Sequence, residues 1–191
     1  MANFLIDLYS KYDDFSMLFE PGLQKEKRKE IEAILKANKS QLNSDAYHIW
    51  GLIYYMSDED IQNKTEFALK KFKVAYEMDN DNFLACLYIA HCYHDMQILD
   101  QALTYYELVD QDKLRAFQQW RYIKLIEQIG YCHYQLGRKK IGRQKFKEVL
   151  EWHKKLPFEE RNIPSEMLSC LPPNDSLALE MKNIDKDIDD E

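Results

Sequence analysis

A helical pattern that recurs at fixed spacing constrains this chain more than any other feature. Trp50-Gly51-x2-Tyr54 precedes Ala68-x3-Phe72-x2-Ala75, and Ile89-Ala90-x2-Tyr93 precedes Ala102-x3-Tyr106-x2-Val109. Ile129-Gly130-x2-His133 then precedes Gly142-x3-Phe146-x2-Val149. Ala68 to Ala102 and Phe72 to Tyr106 are each 34 residues apart. A glycine inside a helix costs roughly 1 kcal/mol relative to alanine, so Gly51, Gly130 and Gly142 need a compensating benefit. Close helix approach supplies it, because a missing side chain lets a paired helix pack backbone against backbone.

These residues resemble the signature of the tetratricopeptide repeat family: W-x2-L-G-x2-Y on a first helix, A-x3-F on a second, and a period of 34 residues. The resemblance implies an all-α fold of antiparallel helix pairs stacked into a right-handed superhelix. Ala90 to Ala102 and Gly130 to Gly142 are both 12 residues, the family distance. Two departures stand out. Gly51 to Ala68 is 17, which places five extra residues in the first turn around Ser57-Asp58-Glu59-Asp60. Val109 to Gly130 is 21 where Ala75 to Ala90 is 15, which adds six residues ahead of the third pair. The organisation expected is an N-terminal helical pair over 1–43, read as a divergent first repeat. Three repeats follow over 44–153 (44–82, 83–116 and 117–153), and C-terminal capping helices with an acidic tail occupy 154–191.

The flanking segments carry their own helical stripes. Phe4, Leu5, Leu8, Tyr12, Phe15 and Phe19 form one, Glu20-Pro21-Gly22 interrupts it, and Leu23, Ile31, Ile34 and Leu35 form another. The mixed charges of Lys25 to Glu30 read as a solvated face. After Lys155-Leu156-Pro157, Pro164 opens a short helix, and Leu171-Pro172-Pro173-Asn174-Asp175 is a capped turn into Leu177, Met181, Ile184 and Ile188. A terminal repeat would otherwise expose an apolar face, so this last helix is expected to cover it.

Composition agrees with a helical domain. Hydrophobic residues make up 46% and charged residues 31%, outside the range of disordered chains. Neither a membrane span nor a signal-peptide pattern is present, and a cytoplasmic protein without a membrane role is expected. Cys86, Cys92, Cys132 and Cys170 show no C-x-x-C spacing and read as small buried hydrophobes. Phosphate loops, nucleophile elbows and H-E-x-x-H motifs are lacking, so the reading is non-enzymatic, with no catalytic residue and no cofactor. His48, His91 and His94 form a conceivable but weakly signalled metal cluster. Arg138, Lys139, Lys140, Arg143, Lys145 and Lys147 make the third repeat's second helix basic, whereas the chain carries a net charge of -7. That balance disfavours nucleic acid and suits an acidic protein partner.

In the resembled family the first helix of each pair lines a concave groove. Carried over residue by residue, the groove positions are Asp45, His48, Leu52, Tyr55 and Met56, then Leu84, Leu87, His91, His94 and Asp95. The third pair contributes Lys124, Glu127, Tyr131, Tyr134 and Gln135. If the third first-helix begins near Asp112, Phe117 and Trp120 extend this row on one continuous stripe. The candidate partner-binding residues are His48, Tyr55, Leu87, His91, His94, Asp95, Phe117, Trp120, Lys124, Glu127, Tyr131 and Tyr134. The carboxylate clamp of chaperone-tail-binding relatives is absent, because the matching sites hold His48, Leu87, His91 and Glu127, with Lys124 the sole base. The resemblance therefore implies a protein- or peptide-binding adaptor or scaffold. The alternative is a dedicated partner-binding protein, either an immunity protein neutralising a toxin or a secretion chaperone. Should the terminal helices instead fill the groove, the same side chains become core.

Overall fold

The computed structural model describes residues 3–17, 21–57, 61–157 and 160–186. Among them every regular element is helical and no strand occurs. The helices are α1 (Asn3–Ser16), α2 (Pro21–Ala37), α3 (Ser44–Tyr55), α4 (Lys64–Met78), α5 (Phe83–Asp95) and α6 (Leu99–Leu108). They continue as α7 (Gln111–Phe117), α8 (Gln119–Gln135), α9 (Lys139–His153), α10 (Ser165–Cys170) and α11 (Ser176–Lys186). The chain divides into two compact units, Met1–Ile98 and Leu99–Glu191.

In the first unit, α3 and α4 form a tight pair. A Cβ built on Gly51 would lie 2.6 Å from Phe72 Cδ1, which is why no larger residue fits there. Polar side chains fix the helix ends. Asn43 caps α3 by accepting from the Ala46 amide at 2.9 Å, and Asn82 caps α5 by accepting from the Ala85 amide at 2.9 Å. Asn82 also donates to Ser44 Oγ at 2.8 Å, and Ser44 donates to the Ala75 carbonyl at 2.8 Å. One relay thus ties the start of α3, the end of α4 and the start of α5. On the α2 side, Arg28 departs from the solvated face expected of its segment. It is buried, 3.7 Å from Glu32, with its guanidinium over the Tyr54 ring at 5.1 Å. Tyr54 donates to Glu32 at 2.7 Å, and burial together with that carboxylate pushes its phenol up to about 12.

In the second unit, α8 and α9 form another tight pair, here with backbone against backbone. A Cβ on Gly142 would sit 2.6 Å from the Gly130 carbonyl oxygen, and one on Gly130 would sit 2.9 Å from Phe146 Cδ1. The turn joining them closes on Gly137 at φ +81, with the Arg138 amide donating to the His133 carbonyl at 2.8 Å. A single buried cluster joins Ile123, Ile126, Phe146, Val149 and Leu150 to Met167, Leu171, Leu177, Met181 and Ile184 of the C-terminal helices. Asp175 pairs with Arg143 and accepts from the Leu177 amide at 2.9 Å, so one carboxylate both caps α11 and holds it to α9. Lys154 and Glu180 pair at 2.6 Å farther along. Ile188 and the acids at 187 and 189–191 lie outside the described residues.

The six added residues do not lengthen α8 as expected. They fold as the separate helix α7, capped by Asp110, which accepts from the Lys113 amide at 3.0 Å. Gln118 then turns extended, at φ -154 and ψ 112, and α8 starts afresh. The stripe from Phe117 to Trp120 is therefore broken between them.

His133 at the end of α8 faces Glu107 of α6, with Nε2 3.5 Å from the carboxylate. Burial holds its imidazole below the ordinary histidine range. Glu107 opposes that shift, while the positive charges of Arg138 and Lys145 add to it. The neutral ring is thus favoured in the fold more than in the unfolded chain. Its contribution is complete above the ordinary histidine pKa and is lost as pH falls below it. Melting temperature should fall between pH 7 and about pH 5, and His133→Gln should flatten that part of the profile. An identical pH slope in the variant would contradict the assignment.

Candidate functional site

The residues singled out on α3 and α5 separate into an interior set and a surface set. His48, Leu52 and Leu87 are buried. His48 packs against both Phe72 and Tyr88, with ring centroids at 5.3 and 5.4 Å, and belongs to the aromatic core of the first unit. Tyr55, His91, His94 and Asp95 come together where α3 and α5 end. Tyr55 meets Tyr88 edge-on at 5.5 Å and its hydroxyl donates to Asp95. His94 is buried, with Nδ1 3.9 Å from Asp95 Oδ1, and half-buried His91 meets Tyr88 edge-on at 5.6 Å. Burial raises the Asp95 carboxyl, but hydrogen bonds from His94 and Tyr55 and the charges of both histidines outweigh it. The group stays ionised below the usual carboxylate range. Burial, then the Asp95 charge, raises the Tyr55 phenol, which keeps its proton. The result is an exposed carboxylate of fixed orientation with aromatic and imidazole neighbours. Met56 is exposed beside it, with the Tyr12 hydroxyl of α1 4.0 Å from its sulfur.

The corresponding face of α8 is covered by the same chain. Lys124 donates to Glu127 at 2.8 Å and stands 3.7 Å from Glu166, and Gln128 donates to Glu166 at 2.8 Å. Gln135 reaches Cys170 Sγ at 3.6 Å, so α10 runs along α8 from Lys124 to Gln135. Glu127 is 2% exposed, an interior carboxylate neutralised by Lys124 rather than a surface group. Tyr131 and Tyr134 are half-buried and pack against the cluster that includes Met167 and Leu171. Tyr134 also stacks on Phe146, with centroids at 6.0 Å. Phe117 and Trp120 are exposed, on either side of the break at Gln118.

Reading the sequence missed Gln128 and Glu166, whose contact positions α10. No spacing rule connects residues 38 apart on separate helices. Among the described residues, no group of three or more His, Cys, Asp or Glu is arranged to hold a metal ion. Cys86, Cys92 and Cys132 are buried free thiols. Burial pushes the Cys86 thiol up to about 11 and that of Cys132 to about 12, so both stay protonated and unreactive near neutral pH. No described helix is long and apolar enough to cross a membrane. Neither the protein-family models nor the curated proteins contain a match to this chain.

Proposed function

We propose that this protein is a non-catalytic protein-binding module of the tetratricopeptide type, acting as an adaptor or scaffold. The helix pairing supports the scaffold: a glycine of one helix meets a phenylalanine of its partner at Gly51 and Phe72 and again at Gly130 and Phe146. The observation that carries the binding role is the Tyr55, His91, His94 and Asp95 constellation. A carboxylate held in one orientation beside aromatic edges loses little freedom when it takes a partner's donor groups. The equivalent face of α8 is occupied by α10, so the partner surface is assigned to α3 and α5.

Affinity capture of the full chain from its native cell, read by mass spectrometry, tests this. His91→Ala with Asp95→Ala should reduce recovery of the specific partner by about tenfold or more, since a lost hot spot of about 2 kcal/mol exceeds the 1.4 kcal/mol that a factor of ten needs. Helical content should be unchanged, and the melting temperature should fall only slightly, through the lost Asp95 contacts with Tyr55 and His94. Tyr131→Ala with Tyr134→Ala should behave oppositely, lowering the melting temperature because these rings pack against α9 and the C-terminal helices. Undiminished recovery with the first double variant would defeat the assignment to α3 and α5.

A further inference from the structure

Asp95 is a carboxylate that the fold orients but does not cover. Its side chain is 46% exposed, while His94 Nδ1 at 3.9 Å and the Tyr55 hydroxyl fix its direction. Among the described residues, no lysine or arginine forms an ion pair with it. A carboxylate has about four acceptor positions, so two donors leave room for more. Its place in the fold adds to the charge. Asp95 is the last residue of α5 and Tyr55 the last of α3, so their contact brings two helix C-termini together. The negative ends of both helix dipoles therefore favour a cation there. Lys64 already answers one of them, its ammonium donating to the Ser57 carbonyl just past α3 at 2.7 Å. The first unit is acidic as a whole, with 11 lysines and arginines against 16 aspartates and glutamates, which draws basic partners toward it.

The surroundings select among cations. Tyr55 and His91 are half-buried and meet Tyr88 edge-on at 5.5 and 5.6 Å, and Met56, the residue after Tyr55, is exposed. Apolar surface of this kind suits the hydrocarbon stem of a long cationic side chain whose head reaches the carboxylate. A metal ion would need further ligands, and among the described residues no group of three His, Cys, Asp or Glu is arranged to hold one. We infer that the partner surface on α3 and α5 takes a lysine or arginine side chain of a basic peptide, its head on Asp95 and its stem along Tyr55, His91 and Met56. This inference rests on the assignment of that surface to partner binding and names the chemistry it recognises.

NMR titration of the isotope-labelled full chain tests it, with Nα-acetyl-lysine methylamide and Nα-acetyl-arginine methylamide as probes. Each should shift the backbone amides of residues 54–56 and 91–96 in a saturable way, and the tighter of the two identifies the head group. The norleucine analogue keeps a hydrocarbon stem without the charge and should bind about tenfold more weakly, as loss of a charge-assisted hydrogen bond implies. Asp95→Asn preserves the size of the side chain and should weaken both probes by about tenfold. Asp45→Asn, at an exposed carboxylate on the opposite end of α3, should leave them unchanged. Raising salt from about 0.05 to about 0.5 M shortens the screening length severalfold and should weaken both as well. Equal binding of the norleucine analogue, undiminished binding to Asp95→Asn, or shifts spread evenly over exposed carboxylates would overturn the inference. The capture experiment fails separately. If His91→Ala with Asp95→Ala loses the partner while neither probe gives a localised shift, the surface stands and its cation chemistry falls. Localised shifts with undiminished recovery would overturn the partner assignment alone.

Discussion

Gly142→Leu should unfold or loosen the second unit. A side chain at this position starts with a Cβ 2.6 Å from the Gly130 carbonyl oxygen and 2.9 Å from the Tyr134 backbone nitrogen. Overpacking costs on the order of 1–3 kcal/mol where neighbouring side chains can yield. Here the obstacles are backbone atoms of α8, whose displacement would separate the pair, so the loss should reach about 3 kcal/mol or more. Gly130→Leu should be damaging for a related reason, because its Cβ would press on the Lys145 Cβ and the Phe146 ring at 2.9 Å. Phe146 is fully buried and has nowhere to swing. Thermal melting followed by circular dichroism is the measurement. Wild-type melting of Gly142→Leu would mean that the α8 and α9 backbones do not approach as described.

Trp50→Ala should cost about 3–5 kcal/mol through lost burial and the cavity left behind. The indole is 3% exposed, stacks on Tyr47 at 6.0 Å with 24° between planes, and carries Lys71 Nζ 3.6 Å from its ring centroid. Removing the ring therefore also removes the cation–π contact of a lysine whose pKa burial already holds below the usual ammonium range. Trp50→Phe should cost less, because the indole Nε1 is buried without a hydrogen-bond partner among the described residues and its loss breaks no bond. Denaturant titration distinguishes these cases. A loss under about 1 kcal/mol for Trp50→Ala would place the side chain outside the core.

The helix pairing was legible because it leaves a mark at single positions. Only a residue without a side chain fits where Gly142 meets the Gly130 carbonyl, and the aromatic partners Phe72 and Phe146 each follow the small residue of their own helix, Ala68 or Gly142, at the same spacing. Asp175 was legible as a cap for the same local reason, since its carboxylate serves an amide two residues away. The break at Gln118 was not. A periodic stripe read across Phe117 and Trp120 is unchanged by one extended residue between them, because spacing reports position along the chain and not backbone angle. What decides the break is that Asp110 starts α7 as a helix of its own and Gln118 ends it, with its amide donating to the Leu114 carbonyl at 2.9 Å.

Burial of the α8 face was the other decision left to tertiary structure. Periodicity put Lys124, Glu127, Tyr131 and Tyr134 on one side of the helix, but their roles depend on what arrives there. Glu166, 39 positions beyond Glu127, brings α10 onto that face and turns the row into packing. On α3 the same kind of row divides again, with His48 entering the core beside Phe72 and Tyr88 while Tyr55 reaches the Asp95 carboxylate on α5. The sequence by itself determined which residues must be helical and where two helices must touch, because those requirements act over one helix turn or at one small residue. Which faces stay open was decided only by tertiary structure, because that depends on contacts between helices far apart in the chain.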